Sequence, residues 1–366
     1  PRAKEWMQEN RPWLHNLLSV TKLEDKALRG HIKRLVSKAI DQARRAPARN
    51  PVLRRTSVGK FPEGRHWASS FRPTKGEPEY ITVDRLARDT LSLLPMLPPD
   101  IVHVVGSARS GLCPASLIAM MLHLPMTIVR NRKGDFVPAS HGWRLLEGAP
   151  KTMGKILVVD DTTMTGNSLL RVKQLLEKMP GQKIYAAVYC NPAAVTKPDI
   201  WVHDLPWPHL LEWNLFNSVL LDSFALDFDG ILCDDCPPQD DDDGERYLRF
   251  LRNVRPRYLV RKHPIKLLVT ARLEKYRVPT EVWMKKWGIR VKKMVMGPWD
   301  TIEERRRGDV AEFKADAIRK FLRARGGIRP KMYIESNPHL AQRISDLTGG
   351  VVVCPTAARC YGTVSR

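Results

Sequence analysis

Two stretches of the chain carry residues whose types and spacing could do chemistry. The first runs Ile156-Leu-Val-Val-Asp160-Asp161-Thr162-Thr163-Met164-Thr165-Gly166-Asn167-Ser168. Four apolar residues predict a buried strand, two carboxylates stand at its carboxyl edge, and a hydroxyl-rich turn with one glycine feeds a helix. Backbone N–H groups and a helix N-terminus are thereby offered to an anion, with Thr and Ser hydroxyls as further donors. Two acids beside such a cradle would repel a bare phosphate tail. They suit a sugar phosphate whose hydroxyls donate to Asp160 and Asp161 while Mg²⁺ offsets charge. The second stretch is Phe224-Ala-Leu-Asp227-Phe228-Asp229-Gly230. Strand alternation predicts Asp227 and Asp229 on one face, where one carboxylate could attack phosphorus and the other handle a proton. A carboxylate approaching a phosphate needs Mg²⁺ and cationic help.

The elements that must position these residues form two α/β rhythms. In the first, the pattern predicts a helix over 83–94, strands over 101–105, 126–129, 156–159 and 184–189, and helices over 112–122 and 168–178. In the second it predicts strands over 224–228, 266–270, 332–335 and 351–354, with helices over 246–253, 279–287, 310–325 and 340–347. Short apolar runs alternating with amphipathic helices indicate parallel sheets covered on both faces, and ligands of such sheets sit at the carboxyl ends of the strands. Residues 1–45 show helical spacing. Residues 46–79 form an irregular connector rich in Arg, Lys and Pro, and 191–217 a Pro- and Trp-rich seam. The domain reading is therefore 1–78, a basic helical arm and connector that could serve as a hood; 79–218; and 219–366.

The first stretch resembles the phosphoribosyl-pyrophosphate (PRPP) motif of type I phosphoribosyltransferases. That family's second element, a loop after an earlier strand, is matched by Gly106-Ser107-Ala108-Arg109-Ser110-Gly111. The resemblance implies that Ser107, Ala108, Arg109, Ser110 and Gly111 bind pyrophosphate, and that Asp160 through Ser168 bind the ribose phosphate. It also implies displacement of pyrophosphate from C1 of PRPP by a base nitrogen. A basic mobile loop is expected at Arg130, Arg132, Lys133 and on to Arg144, where a solvated basic hairpin is the alternative. Trp207 or Trp213 could stack on the base or pack the seam.

The second stretch resembles motif I of the haloacid dehalogenase (HAD) superfamily. Thr270 in Leu267-Leu-Val-Thr270-Ala271-Arg272 matches the phosphate-binding threonine, Lys314 the lysine that neutralises the aspartate–phosphate pair, and Glu335 the acid after a third strand. The resemblance implies Asp227, Asp229, Thr270 and Lys314 as catalytic and Asp227, Asp229 and Glu335 as Mg²⁺ ligands. One departure is that Glu335 is followed by Ser336 and Asn337, where many members carry a second acid. Arg272 or Arg277 could meet phosphate. Fold and function then read as two Rossmann-like parallel-sheet domains, phosphoribosyltransferase then HAD-like, behind a basic helical arm. The implied enzyme makes a nucleotide from PRPP and a base and then removes its phosphate.

Composition bounds the alternatives. The 366 residues carry 61 Lys+Arg against 39 Asp+Glu, a net +22, which points to polyanionic partners. Residues 1–78 hold 18 basic and 7 acidic residues, 79–220 hold 14 and 12, and 221–366 hold 29 and 20, so half the excess lies in the first fifth. PRPP and nucleotide monophosphates account for some cations. The N-terminal excess leaves open a nucleic-acid or protein partner, and an alternative function as a nucleic-acid-binding effector that uses the first fold as a PRPP sensor. Six cysteines are too sparse for a disulfide scaffold, and Cys233-x-x-Cys236 lacks the second pair of a zinc site. The acidic run Asp240–Asp243 reads as a solvated loop, with a cation site or lid as alternatives. Pro114, His123 and Pro125 break the greasy stretch 112–129, so no membrane association is expected. The reading is cytoplasmic, with a homodimer as the assembly the first family implies.

Overall fold

The computed structural model of the chain describes residues 76–130, 135–138, 154–177, 179–324 and 332–364, which lie in one compact unit, Arg72–Arg366. The expected helices of residues 1–45, nearly all of the basic connector, and Arg132, Lys133 and Arg144 lie outside the described residues.

The first rhythm builds β1 (Glu79–Ile81), α1 (Val83–Leu91), β2 (Ile101–Ser107), α2 (Leu112–Leu122), β3 (Met126–Arg130), β4 (Asp135–Pro138), β5 (Lys155–Thr163), α3 (Asn167–Leu176), β6 (Lys183–Cys190), β7 (Ile200–Asp204), β8 (His209–Leu211) and the one-turn α4 (Glu212–Leu215). A six-stranded sheet has the order β4-β3-β2-β5-β6-β7, parallel except for the β3–β4 hairpin. Alternating side chains cover its two faces. Val104, Leu157, Val159 and Val188 pack on one side with Ile118 of α2. Val105, Val158 and Tyr185 pack on the other with Leu169, Val172 and Leu176 of α3. The greasy stretch resolves into α2 and β3, divided by His123 in the left-handed region at φ 54°. Among the described residues no helix is long and apolar enough to cross a membrane.

The second rhythm builds β9 (Phe224–Leu226), α5 (Glu245–Asn253), β10 (Leu267–Leu273), α6 (Arg277–Lys286), β11 (Met294–Gly297), α7 (Ile302–Arg307), α8 (Val310–Ala324), β12 (Met332–Ile334), α9 (Pro338–Thr348), β13 (Val351–Cys354) and β14 (Arg359–Tyr361). Its sheet order is β11-β10-β9-β12-β13-β14, parallel except at β14. The sequence pattern missed β11, whose Met294-Val-Met-Gly run follows two lysines and offers a single β-branched residue. It also missed the edge strand β14.

The segment expected as a seam is more structured than a connector. Its residues 200–204 extend the first sheet as β7, and β8 pairs in parallel with β1. Tyr80 of β1 and Leu215 of α4 are buried in one cluster with Phe224, Leu226 and Val351 of the second sheet. Val364 N–H donates to Gly76 C=O at 3.0 Å. The apolar contacts thus run without a break from one sheet to the other.

Candidate active sites

In the first half β5 runs past Val159 to Thr163, so both acids belong to the strand rather than to the turn after it. Asp161 is buried and Asp160 partly so. Burial raises both carboxyls above their ordinary range, and repulsion from Asp161 lifts Asp160 further. Asp161 N–H donates to Asp160 Oδ1 at 3.0 Å. The two sequence motifs come together because β2 lies beside β5, with Gly106 opposite Val159. Gly111 then passes so close that a Cβ there would stand 2.7 Å from Asp160 Oδ1 and from Ser107 C=O. Only a residue without a side chain leaves that gap open. The Ala108–Arg109 peptide is cis, and Arg109 is exposed at the rim. Gly166, at φ 83°, opens α3, and Asn167 N–H donates to Thr165 Oγ1 at 3.3 Å. Thr162 Oγ1 is buried without a hydrogen-bond partner among the described residues. Ser107 and Thr163 are buried, Ala108, Ser110 and Met164 half-buried, and Asn167 and Ser168 exposed at the helix start.

The short helix α4 reaches both motifs. Trp213 Nε1–H donates to Asp161 Oδ2 at 2.7 Å, and Arg109 Nη2 donates to Asn214 Oδ1 at 2.6 Å. Glu212, one residue earlier, accepts from Val83 N–H at 2.7 Å and from the Tyr258 hydroxyl of the second half. The sequence allows Trp213 as a base platform or as packing. Its bond to a motif carboxylate is not legible there, because α4 is too short to announce itself by periodicity. Trp207 packs edge-on against His209 with ring centroids 5.6 Å apart.

In the second half Asp227 and Glu335, two of the expected site residues, lie at neighbouring strand ends. Asp227 follows β9, Thr270 lies in β10 and Glu335 follows β12. Lys314, from α8, donates to Asp227 Oδ2 at 2.8 Å and Glu335 Oε2 at 2.7 Å, with all three side chains buried. Burial, then repulsion from Glu335, raises the Asp227 carboxyl well above its ordinary range, against the pull of Lys314. Burial works against the Lys314 ammonium, but the two carboxylates hold its affinity for the proton above that of an ordinary lysine.

Asp229 has a different partner from Asp227. The strand ends at Leu226, Gly230 turns the chain at φ 69°, and strand alternation no longer applies. Both Asp229 oxygens accept from Arg272, Oδ2 from Nε at 2.9 Å and Oδ1 from Nη2 at 2.6 Å. Arg272 is itself buried, 3.8 Å over the Phe228 ring, and donates to Thr280 Oγ1 at 3.1 Å. It is therefore a positioning residue and not an open phosphate contact, and Arg277 is paired with Glu274. The acidic run is likewise not a solvated loop. Asp241 pairs with Arg305 at 2.6 Å, Asp242 with Arg246 at 2.9 Å and Asp243 with Lys275 at 2.5 Å.

The two halves differ in how their acids suit a divalent cation. Asp160 and Asp161 are consecutive hard oxygen donors, followed in sequence by the buried Thr162 hydroxyl that has no partner among the described residues, a donor set that fits Mg²⁺. Asp227, Asp229 and Glu335 do not fit as one set. Lys314 already stands between the first and third, and Arg272 takes the second away. Among the described residues no three acidic, His or Cys side chains are gathered to hold a metal.

The family described as phosphoribosyl transferase domain matches residues 74–220. An orotate phosphoribosyltransferase of Lactobacillus johnsonii is 34% identical over 100 residues, which cover 27% of this chain and 45% of that protein. One of Staphylococcus haemolyticus is 32% identical over 147 residues, 39% of this chain and 68% of that protein. A purine phosphoribosyltransferase structure from Pyrococcus horikoshii Ot3 aligns with 38% of this chain and 94% of its own, at 22% identity and a TM-score of 0.30. The chain spans about half the length of several curated relatives it matches. Through residues 74–220, which hold both the Asp160–Asp161 strand end and the Gly111 loop, the chain belongs to the phosphoribosyltransferase family.

Proposed function

We propose that the chain transfers a phosphoribosyl group from PRPP to a base. The observation that carries this reading is the meeting of Gly111 with Asp160 on the strand that leads into α3. It sets a backbone loop, two carboxylates and a helix N-terminus around one space. A base nitrogen would bond to C1 of the ribose as the C1–oxygen bond breaks, and pyrophosphate would leave with that electron pair. The residues Ser107 to Gly111 would take the pyrophosphate, and Asp160 to Ser168 the ribose hydroxyls and 5′-phosphate. Mg²⁺, when bound near Asp160 and Asp161, would neutralise phosphate charge. The protein's part is positioning and stabilising the departing charge. The curated relatives act on orotate by name, so orotate heads the panel of bases, followed by purines.

For residues 219–366 the proposal is a HAD-type phosphohydrolase acting on the nucleotide product. The buried Asp227–Lys314–Glu335 cluster at adjacent strand ends supports it. Asp227 would bond to phosphorus as the ester oxygen leaves, and water would then release orthophosphate. No step is assigned to a metal in this half.

Incubation of the full chain with PRPP, Mg²⁺ and each base tests both readings. Pyrophosphate should appear first and orthophosphate second. Asp160→Asn with Asp161→Asn should stop pyrophosphate release, and unchanged release overturns the transferase reading. Asp227→Asn should leave pyrophosphate release intact while nucleotide accumulates, and continued orthophosphate release overturns the hydrolase reading.

A further inference from the structure

Cations of the second half differ in whether a carboxylate neutralises them. Many are neutralised in place: Arg246 by Asp242, Arg252 by Glu245, Arg319 by Glu312, Arg343 by Asp309. Two segments behave differently. Residues 255–266 contain Arg255, Arg257, Arg261, Lys262 and Lys266 and no acid, and residues 285–293 contain Lys285, Lys286, Arg290, Lys292 and Lys293 and no acid. All ten except Lys266 are exposed, and none of those nine lies within ion-pair distance of a carboxylate among the described residues.

The fold lays these segments side by side. Ile265 bridges Val291 in parallel, Ile265 N–H donates to Arg290 C=O at 2.8 Å, and Lys292 N–H returns to Ile265 C=O at 2.8 Å. Arg261 Nε donates to Trp287 C=O at 2.8 Å, and Arg290 Nη2 to Lys262 C=O at 3.0 Å. The strip begins beside the Asp-x-Asp-Gly turn, where Arg257 N–H donates to Leu232 C=O at 2.8 Å. It ends at the amino edges of β10 and β11, a run about as long as the seven-residue β10, ~23 Å at ~3.3 Å per residue. There it borders a groove of about 520 Å³, with Lys285, Arg290 and Lys292 beside Met284, Ile289 and Met294. Glu281 is the one carboxylate on its wall, and it faces Arg277 at 3.9 Å.

Like charges this close repel, and a fold gathers them without counter-ions of its own where a polyanion supplies the counter-charge. We propose that this face binds the phosphate backbone of a nucleic acid strand. The strip, ~23 Å long at ~3.3 Å per residue, exceeds the reach of a free nucleotide's phosphates. No aromatic ring is exposed along it as a stacking platform, since Tyr258 stacks on Phe216 at 3.9 Å and Trp287 is half-buried. Binding is therefore independent of base sequence. This inference does not rest on either proposed reaction.

The test measures anisotropy of a labelled 20-nucleotide single strand with the full chain across a salt series. Lys262→Gln, Lys285→Gln, Lys292→Gln and Lys293→Gln together remove four uncompensated charges. A matched variant, Arg246→Gln, Arg252→Gln, Arg319→Gln and Arg343→Gln, removes four that are already paired. The first should weaken binding about tenfold or more at ~0.1 M salt and flatten the slope of log K against log salt by about 3, at ~0.7 for each phosphate no longer neutralised. The second should change neither. Superimposable thermal melts of both variants with the unaltered chain establish that the fold is kept. Equal losses in both variants would mean that net charge alone binds the strand and would overturn the proposal. So would an unaltered slope in the first, absence of binding by the unaltered chain at low salt, or displacement of the strand by inorganic phosphate at equal phosphate concentration.

Discussion

Trp213 holds Asp161 through an indole N–H···carboxylate bond of 2.7 Å. The next residue, Asn214, accepts from Arg109 at 2.6 Å, and the previous one, Glu212, accepts from Tyr258. One turn of helix therefore touches the carboxylate pair, the loop proposed for pyrophosphate, and a loop of the second half. A bond to the charged form of an acid lowers its pKa, so Trp213 opposes the burial that raises Asp161.

Trp213→Phe keeps the ring and deletes the donor. The Asp161 carboxyl should rise further, and the acid limb of the pH profile for pyrophosphate release should move to higher pH. Loss of a hydrogen bond to a charged group, about 1.5–3 kcal/mol, should lower kcat/KM roughly tenfold to a hundredfold near that limb. A profile that overlays the unaltered protein would leave Trp213 with packing alone.

Asp160→Asn should separate stability from activity. An acid whose folded pKa is raised takes up its proton at higher pH in the folded state than in the unfolded one. The fold then loses stability as pH climbs from the ordinary aspartate value through the raised one. At neutral pH the asparagine variant should be more stable, by about 1.4 kcal/mol for every tenfold by which folding had strengthened proton binding at this carboxyl, while PRPP turnover disappears. Urea denaturation at pH 7 checks the first half of this statement, and a fall in midpoint would contradict it.

Gly111→Ala introduces a methyl 2.7 Å from the Ser107 carbonyl and 2.8 Å from Asp160 Cα. Two of the obstacles are backbone and cannot swing aside, so the Gly111 loop must move away from β2 and β5. We expect a stability loss of about 1–3 kcal/mol, as for overpacking, and a KM for PRPP raised at least about tenfold. An unchanged KM in a correctly folded variant would place the pyrophosphate elsewhere.

Lys314→Met strands two buried carboxylates. Removing one partner of a buried ion pair costs roughly 3–5 kcal/mol, and the pairing with Asp227 and Glu335 makes this an interior case. The double variant Lys314→Met, Asp227→Asn should recover part of that loss, because one stranded charge is gone. Chemical denaturation of the four proteins of the cycle measures the coupling, and strict additivity would refute it.

Much of this arrangement was legible in the sequence because it is local. Apolar runs of three to five residues announced β2, β5, β9 and β13, and the acids after β5 and β9 could be placed to within a turn. What could not be read was long-range. The partition of Asp227 and Asp229 depends on Arg272, forty-three residues beyond Asp229, and on the strand stopping at Leu226. A buried arginine in Thr270-Ala271-Arg272 demands a carboxylate partner, and that demand was the available signal. The acidic run looked solvated because its counter-ions, Lys275 and Arg305, arrive from the stretch before α6 and from α7. The excess charge of the second half was visible as a sum, but its gathering onto one face needed the Ile265–Val291 bridge.

The shared cluster of Tyr80 and Leu215 with Phe224, Leu226 and Val351 bears on how the two proposed activities can be inherited and dissected. A chain cut between residues 218 and 219 would bare apolar side chains on both fragments and part the Gly76–Val364 bridge. Deleting either half should therefore injure the survivor, so a truncation that loses both chemistries says nothing about their dependence on each other. Point variants such as Asp161→Asn and Asp227→Asn leave that common wall standing. Genetic complementation between two such singly damaged copies, rather than between halves, is the arrangement in which each chemistry can be counted by itself.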